Sequence, residues 1–277
     1  MHEKKRIGIV GYGHIGQYIF DEVQKSENLC VDFVWNRSFD KIKHLPKEVQ
    51  LENLDEFRTR KVDIILEVAH ITTTQKYGEQ FLEHANFMIG SPTALADEDL
   101  EARLRKKSLE TGYGLFVPAG AFWGGEDVQK MADQGSLKGL KVTMKKHPSC
   151  FKVLGEVAER NEKVGDEPVV LYEGPVRKLC PLAPANVNTM ACAALAAHNL
   201  GFDKVQGCLV ADRSLKCHIV EIEVTGPPLG DNGEEFTVKT VRTNPSKTGV
   251  VTGNATYASF FQSLRRAYGK GGGIHLC

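Results

Sequence analysis

The chain has 277 residues, 42% of them hydrophobic and 25% charged, an ordinary balance for a globular protein and enough length for two domains. Lys and Arg total 35 and Asp and Glu total 35, so no net field draws the protein to nucleic acid or to an anionic membrane. No apolar run reaches the length of a membrane span, and the seven scattered cysteines form no C-x-x-C pair. The expectation is a cytoplasmic protein with reduced thiols, no metal site, and neither a nucleic-acid nor a membrane partner.

The N-terminus passes from charge straight into a short apolar strand, Ile7 to Val10, without the apolar h-region of a secretory signal. The strand ends in Gly11-Tyr12-Gly13-His14-Ile15-Gly16, after which Tyr18, Ile19 and Val23 recur at helical spacing. G-x-G-x-x-G between a strand and a helix is a dinucleotide fingerprint. Gly11 permits the tight turn, Gly13 lets the backbone approach a pyrophosphate, and Gly16 lets helix and strand pack closely. His14, Ile15 and Gly16 open the helix, where free N–H groups and the positive dipole end favour phosphate. The second strand, LCVDFVWNRS, ends in Asn36-Arg37-Ser38. In this fold an acid there usually holds the adenine ribose 2′-hydroxyl. Here no carboxylate repels a 2′-phosphate, and Arg37 and Ser38 are able to bind one, so NADP is expected to be accepted alongside NAD. A solvated loop arginine is the other reading of Arg37.

Strand and helix keep alternating. KVDIILEVA (Lys61 to Ala69) reads as a buried strand, TTTQKYGEQFLEHA as a helix capped by threonine, and NFMIGS as a strand. ALADEDLEARLRKKSLETG reads as a helix capped by Asp97, and YGLFVPAGA as a strand. This order predicts a doubly wound parallel sheet, an α/β Rossmann domain over residues 1–120. His70, Ser91 and Ala119 to Ala121 fall on loops at the carboxyl edge, where such sheets bind ligands.

Beyond residue 120 the strands come closer together: KGLKVTMKKHP, EPVVLYEGPV, KVQGCLVAD, CHIVEIEV and EFTVKTVRT. One clear helix interrupts them, ANVNTMACAALAAHNLG, with Asn186 or Asn188 as its cap and Gly201 as its end. An α+β sheet domain is expected over 121–249. The last segment, NATYASFFQSLRRAYGK, is helical again, and residues 250–277 are expected to return to the first domain. At the mouth of the CHIVEIEV strand stands His218. The local pattern leaves it as a packed core residue, a metal ligand or a catalytic proton carrier.

Several stretches together resemble the L-aspartate dehydrogenase family. They are GYGHIGQ, ALADEDL, GAFWGGEDV, YEGPVRKLCPLAPANVNTMACAALA, VADRSLKCHIVEIEV and RTNPSKT, in family order from residue 7 to about 250. The resemblance implies NAD(P)-dependent oxidative deamination of L-aspartate to oxaloacetate and ammonia through iminoaspartate, or the reverse. It makes His218 the catalytic histidine, and it matches Ala121 and Asn188 to positions contacting the nicotinamide end of the cofactor. On spacing alone Asn188 is equally a plain helix cap. A dicarboxylic substrate calls for cations, with His70, Lys145, Lys146, Arg177 and Lys247 as candidates. The chain departs from the family pattern at Phe122-Trp123 and Lys216-Cys217, which flank the site. Two other readings stay open on the residues: an NAD(P)-binding sensor or scaffold without turnover, and a reductase of another small imine or carbonyl compound. A homodimer is expected.

Overall fold

The protein was analysed as a computed structural model, which describes residues 4–229, 232–251 and 254–277. Two compact units divide the chain. One comprises Met1–Pro118 with Phe260–His275 and Cys277; the other comprises Ala119–Ser259 with Leu276.

The first unit begins with β1 (Lys5–Val10), α1 (His14–Gln24), β2 (Leu29–Trp35), β3 (Gln50–Leu51) and β4 (Ile64–Glu67). It continues with α2 (Ile71–Leu82), β5 (Asn86–Ile89), α3 (Glu98–Thr111) and β6 (Gly114–Val117). The spatial order is β3-β2-β1-β4-β5-β6, and each of these pairings is parallel. This is the dinucleotide-fold order, in which the order of successive strands reverses beside β1. The strands are short apolar runs because helices cover both faces. Ile7, Ile9, Val34, Leu66, Met88 and Phe116 are wholly buried. The ends of the helices follow local chemistry. Asp97 caps α3, its Oδ1 accepting from the Leu100 amide at 3.1 Å, and Gly112 ends it in the left-handed region at φ 76°. The cap of α2 is His70, whose Nδ1 accepts from the Thr72 amide at 3.3 Å, in place of the threonine expected there. β4 is shorter than the nine-residue run suggested, because the amides just beyond it turn to the Glu67 carboxylate and leave the ladder.

The second unit holds α4 (Gly125–Asp133), β7 (Gly139–Lys146), α5 (Gly155–Glu162), β8 (Val169–Pro175) and α6 (Val176–Leu179). After these come α7 (Asn188–Ala196), α8 (Gly201–Lys204), β9 (Gln206–Ala211), β10 (Cys217–Pro228) and β11 (Glu235–Pro245). Its sheet runs β11-β10-β7-β9-β8; β7 and β9 are parallel and the other neighbours antiparallel. Period-two burial sets its inner face: Leu140, Val142, Met144 and Lys146 on β7, and His218, Val220, Ile222 and Val224 on β10. α7 packs on β7 and is alanine-rich and buried almost all round, as a helix enclosed by its own unit must be.

Neither expected asparagine caps α7. Val187 holds that position, and Asn188 is the first helical residue. The buried Asn186 is engaged elsewhere, accepting from the Lys152 amide at 2.7 Å and donating to the Cys150 carbonyl at 3.1 Å. Gly201 does not end α7 either. The amides of Leu200 and Gly201 both turn onto the Ala197 carbonyl, and Gly201, at φ 61°, opens α8. The chain closes with α9 (Asn254–Arg266) and β12 (Gly273–Leu276). Phe260, Phe261 and Leu264 join the first unit's core, and β12 lies beside β6 as a seventh strand. Among the described residues no helix is long and apolar enough to cross a membrane.

Candidate active site

The loop between β1 and α1 is held by close approach. A Cβ on Gly16 would sit 2.1 Å from the Gly11 carbonyl oxygen, and one on Gly11, at φ 110°, would sit 2.7 Å from the Ala69 amide nitrogen. Gly13 differs, since a Cβ there would meet nothing within 4 Å. Its bareness serves the open space above the helix start. No side chain caps α1 and no acid stands in its first turn, so its leading amides are left for an anion. The residues present therefore fit a pyrophosphate. His14 is exposed there and Ile15 half-buried. Asn36 braces the loop: its Oδ1 accepts from the Tyr12 amide at 3.0 Å and its Nδ2 donates to the Ser38 carbonyl at 3.0 Å. Arg37 and Ser38 are exposed, and among the described residues neither side chain has a hydrogen-bond or ionic partner.

Beneath that loop lies a group that the sequence reading missed. Glu67 is wholly buried at the end of β4. Its Oε1 accepts from the amides of Ala69 and His70 at 2.7 and 2.8 Å, and Ser91 and Thr74 also reach the carboxyl group. Burial pushes its pKa up to about 7 against these hydrogen bonds. Glu67 thus shapes the backbone on which Gly11 rests. A carboxylate ending the apolar run Ile64-Ile65-Leu66 was its only signal.

In the second unit, Ala121 lies between Gly120 and Phe122, which line a cavity of about 570 Å³ with Trp123, Arg242 and Ser259. Phe122 is buried and Trp123 is 68% exposed, so the first of this unusual pair packs and the second stands at the surface. The Gly120 carbonyl accepts from Arg242 Nη1 and Ser259 Oγ, each at 3.2 Å. Arg242, also missed in sequence, is half-buried on β11 with no carboxylate partner among the described residues.

His218, the second residue of β10, is 5% exposed. Its Nε2 is buried and has no hydrogen-bond partner among the described residues, and the Val250 backbone lies near enough to the ring to favour its protonated form slightly. Burial, and then the Lys146 ammonium, push its pKa down to about 4 against the smaller effect of the Val250 backbone, so the imidazole is neutral at pH 7. Ile219 pairs with Lys145, so the next step outward sets His218 beside Lys146 on the inner face. Lys146 is 3% exposed; its Nζ donates to the Val251 carbonyl at 3.2 Å and lies 5.8 Å from the Phe151 ring centroid. Burial pushes this ammonium down to about 8.

The other candidate cations are engaged elsewhere or lie outside. Lys145 pairs with Glu221 at 2.5 Å, Arg177 with Asp203 at 2.7 Å, His70 caps α2, and Lys247 is exposed. Asn188 is half-buried at the start of α7. Of the residues flanking His218, Lys216 is exposed and Cys217 half-buried.

Comparison with known proteins agrees with this layout. The family model described as "Aspartate dehydrogenase, C-terminal" matches residues 127–263, and "Homoserine dehydrogenase, NAD binding domain" matches residues 11–118. The aspartate dehydrogenase domain-containing protein of Xenopus tropicalis is 49% identical over 99% of this chain and 98% of its own. The L-aspartate dehydrogenase of Methanocaldococcus jannaschii is 29% identical over 69% of this chain and 74% of its own. In fold, the crystal structure of an aspartate dehydrogenase from Thermotoga maritima superposes with a TM-score of 0.71 at 22% identity, covering 98% of both chains. Near-complete coverage at almost half identity leaves one assignment: the chain belongs to the aspartate dehydrogenase family, and it is an NAD(P)-dependent amino-acid dehydrogenase.

Proposed function

We propose that this dehydrogenase acts on L-aspartate, converting L-aspartate, NAD(P)+ and water to oxaloacetate, ammonium, NAD(P)H and a proton, or running the reverse. The observation that carries the reading is a buried, neutral His218 with a free Nε2 beside the buried Lys146 ammonium. Gly11, Gly13, His14, Ile15 and Gly16 would hold the pyrophosphate, and Asn36 would keep their loop in shape. Arg37 and Ser38 would meet the adenine ribose or its 2′-phosphate, and Ala121 and Asn188 the nicotinamide end. The bound dinucleotide supplies the acceptor for the hydride that leaves the substrate Cα.

What remains is iminoaspartate, whose C=N carbon must be attacked by water. A neutral imidazole carries a lone pair on one ring nitrogen, and at Nε2 no hydrogen-bond partner competes for it among the described residues. His218 takes a proton from the attacking water there and returns it to the departing nitrogen. The test is to incubate the protein with L-aspartate and NAD+ or NADP+ and follow the reduced cofactor. The wild type should turn over, and His218→Gln should lose about 10²–10⁴-fold in rate with its cofactor affinity unchanged. A wild type that binds cofactor yet leaves L-aspartate untouched refutes the substrate, and an active His218→Gln refutes the role of the histidine.

A further inference from the structure

Lys146 is an anomaly in the second unit's core. An ammonium carries three donors and a full charge, and its burial is costly unless it is paired. Here its one hydrogen-bond partner among the described residues is a neutral backbone oxygen, that of Val251. The groups facing it can be named from each neighbouring element. They are His218 from β10, Cys150 and Phe151 from the segment after β7, and the Val251 carbonyl; no carboxylate among the described residues acts on it. Beside it His218 Nε2 is a second buried polar atom without a partner. The same short stretch lies against both groups, the Val250 backbone near the ring and the Val251 carbonyl accepting from the ammonium. An ammonium with three donors and one neutral carbonyl to receive them has donor capacity left over, which describes a place for an anion, while the unpartnered Nε2 beside it leaves a place for water.

We propose that Lys146 binds a carboxylate of the substrate, the Val251 carbonyl holding that place until it arrives. This deepens the reading of the protein as an aspartate dehydrogenase and rests on it. It also gives the substrate a part in arming the catalyst. Lys146 repels a proton on His218, and a carboxylate bound to the ammonium cancels that repulsion. The imidazole then becomes a better base only when substrate is in place.

Succinate, which has two carboxylates and no amine, tests binding apart from turnover. Calorimetry on the full chain with NAD+ present should show succinate binding at pH 7, weakened at least about tenfold in Lys146→Met. In the wild type the affinity should hold up to about pH 8 and then fall, at about tenfold per pH unit, as the ammonium loses its proton. His218 is neutral throughout that range and does not contribute. The wild-type profile needs no variant, so it decides the matter even if Lys146→Met fails to fold. Ring NMR signals of His218 should show its pKa rising when succinate is added to the wild type. No succinate binding, a flat profile between pH 7 and 9.5, or undiminished binding by a folded Lys146→Met would each overturn the proposal. Lys146-dependent succinate binding by a protein inert to L-aspartate would instead leave this assignment standing and remove the proposed reaction.

Discussion

Replacing Glu67 with glutamine keeps the oxygen that the Ala69 and His70 amides need and removes the ionisable proton. In the wild type burial holds the carboxyl pKa at about 7, against 4.5 in the unfolded chain. Because the folded value is the higher one, this group's stabilisation is complete below pH 4.5 and is lost as pH climbs through 7. The span of about 2.5 pH units corresponds to about 3 kcal/mol. Glu67→Gln has no such dependence, so variant-minus-wild-type stability should rise by about 3 kcal/mol between pH 4.5 and 7.5. Urea titrations at half-unit pH steps measure it. The chain has two tryptophans, Trp35 on β2 and the exposed Trp123, so placing Trp123→Phe in both proteins lets Trp35 report on the first unit alone. His218 and Lys146 titrate alike in both proteins and cancel in the difference. A difference curve flat to within about 0.5 kcal/mol, or one that falls with pH, would refute the burial argument for Glu67.

The glycine loop makes a paired prediction. Gly16→Ala forces a Cβ to within 2.1 Å of the Gly11 carbonyl oxygen and should cost about 1–3 kcal/mol of stability in thermal or urea unfolding. Gly13→Ala meets no neighbour, so stability should hold while dinucleotide affinity by fluorescence titration drops; unchanged affinity would remove the pyrophosphate from that spot. Arg37→Ala should weaken NADP binding by about tenfold or more and leave NAD binding within about twofold, and equal losses for both would make Arg37 a plain surface residue.

The alternation of the first unit was legible because parallel strands covered on both faces read as continuous apolar runs, and Gly11 to Gly16 carry their own geometric logic. The five strands of the second unit were legible as short strand-like runs set off by turn residues, with period-two alternation clear in the strand from Cys217. β12 was not, since GIHL follows a glycine run and has no period; it becomes a strand only beside β6, with the Cys277 amide reaching the Val117 carbonyl at 3.1 Å. α5 is eight residues with one buried side chain, Val157, too few for a helical repeat to show. At the site, resemblance singled out His218, but Lys146 stood as one of five interchangeable cations. What separates it is tertiary: Lys145 one position earlier faces outward to Glu221, while Lys146 turns inward to the Val251 carbonyl. Arg242 escaped notice because its face follows from the pairing of β11 with β10, where it stands opposite Val220.

The two-faced burial of β10 has a consequence for how its sequence can change. On the outer face Glu221 meets Lys145 and Lys239, and Glu223 meets Lys239, in exposed or half-exposed pairs of the kind that exchange at little cost. The inner face carries His218 with Val220, Ile222 and Val224. Substitutions can therefore accumulate on one side without disturbing the other, whereas insertions and deletions cannot. Losing a single residue between His218 and Glu221 would put the two halves of the strand out of phase, so that either Glu221 and Glu223 turn into the core or the histidine turns to solvent. Along this strand the length between Cys217 and Val224 is constrained more tightly than half of the residues that fill it.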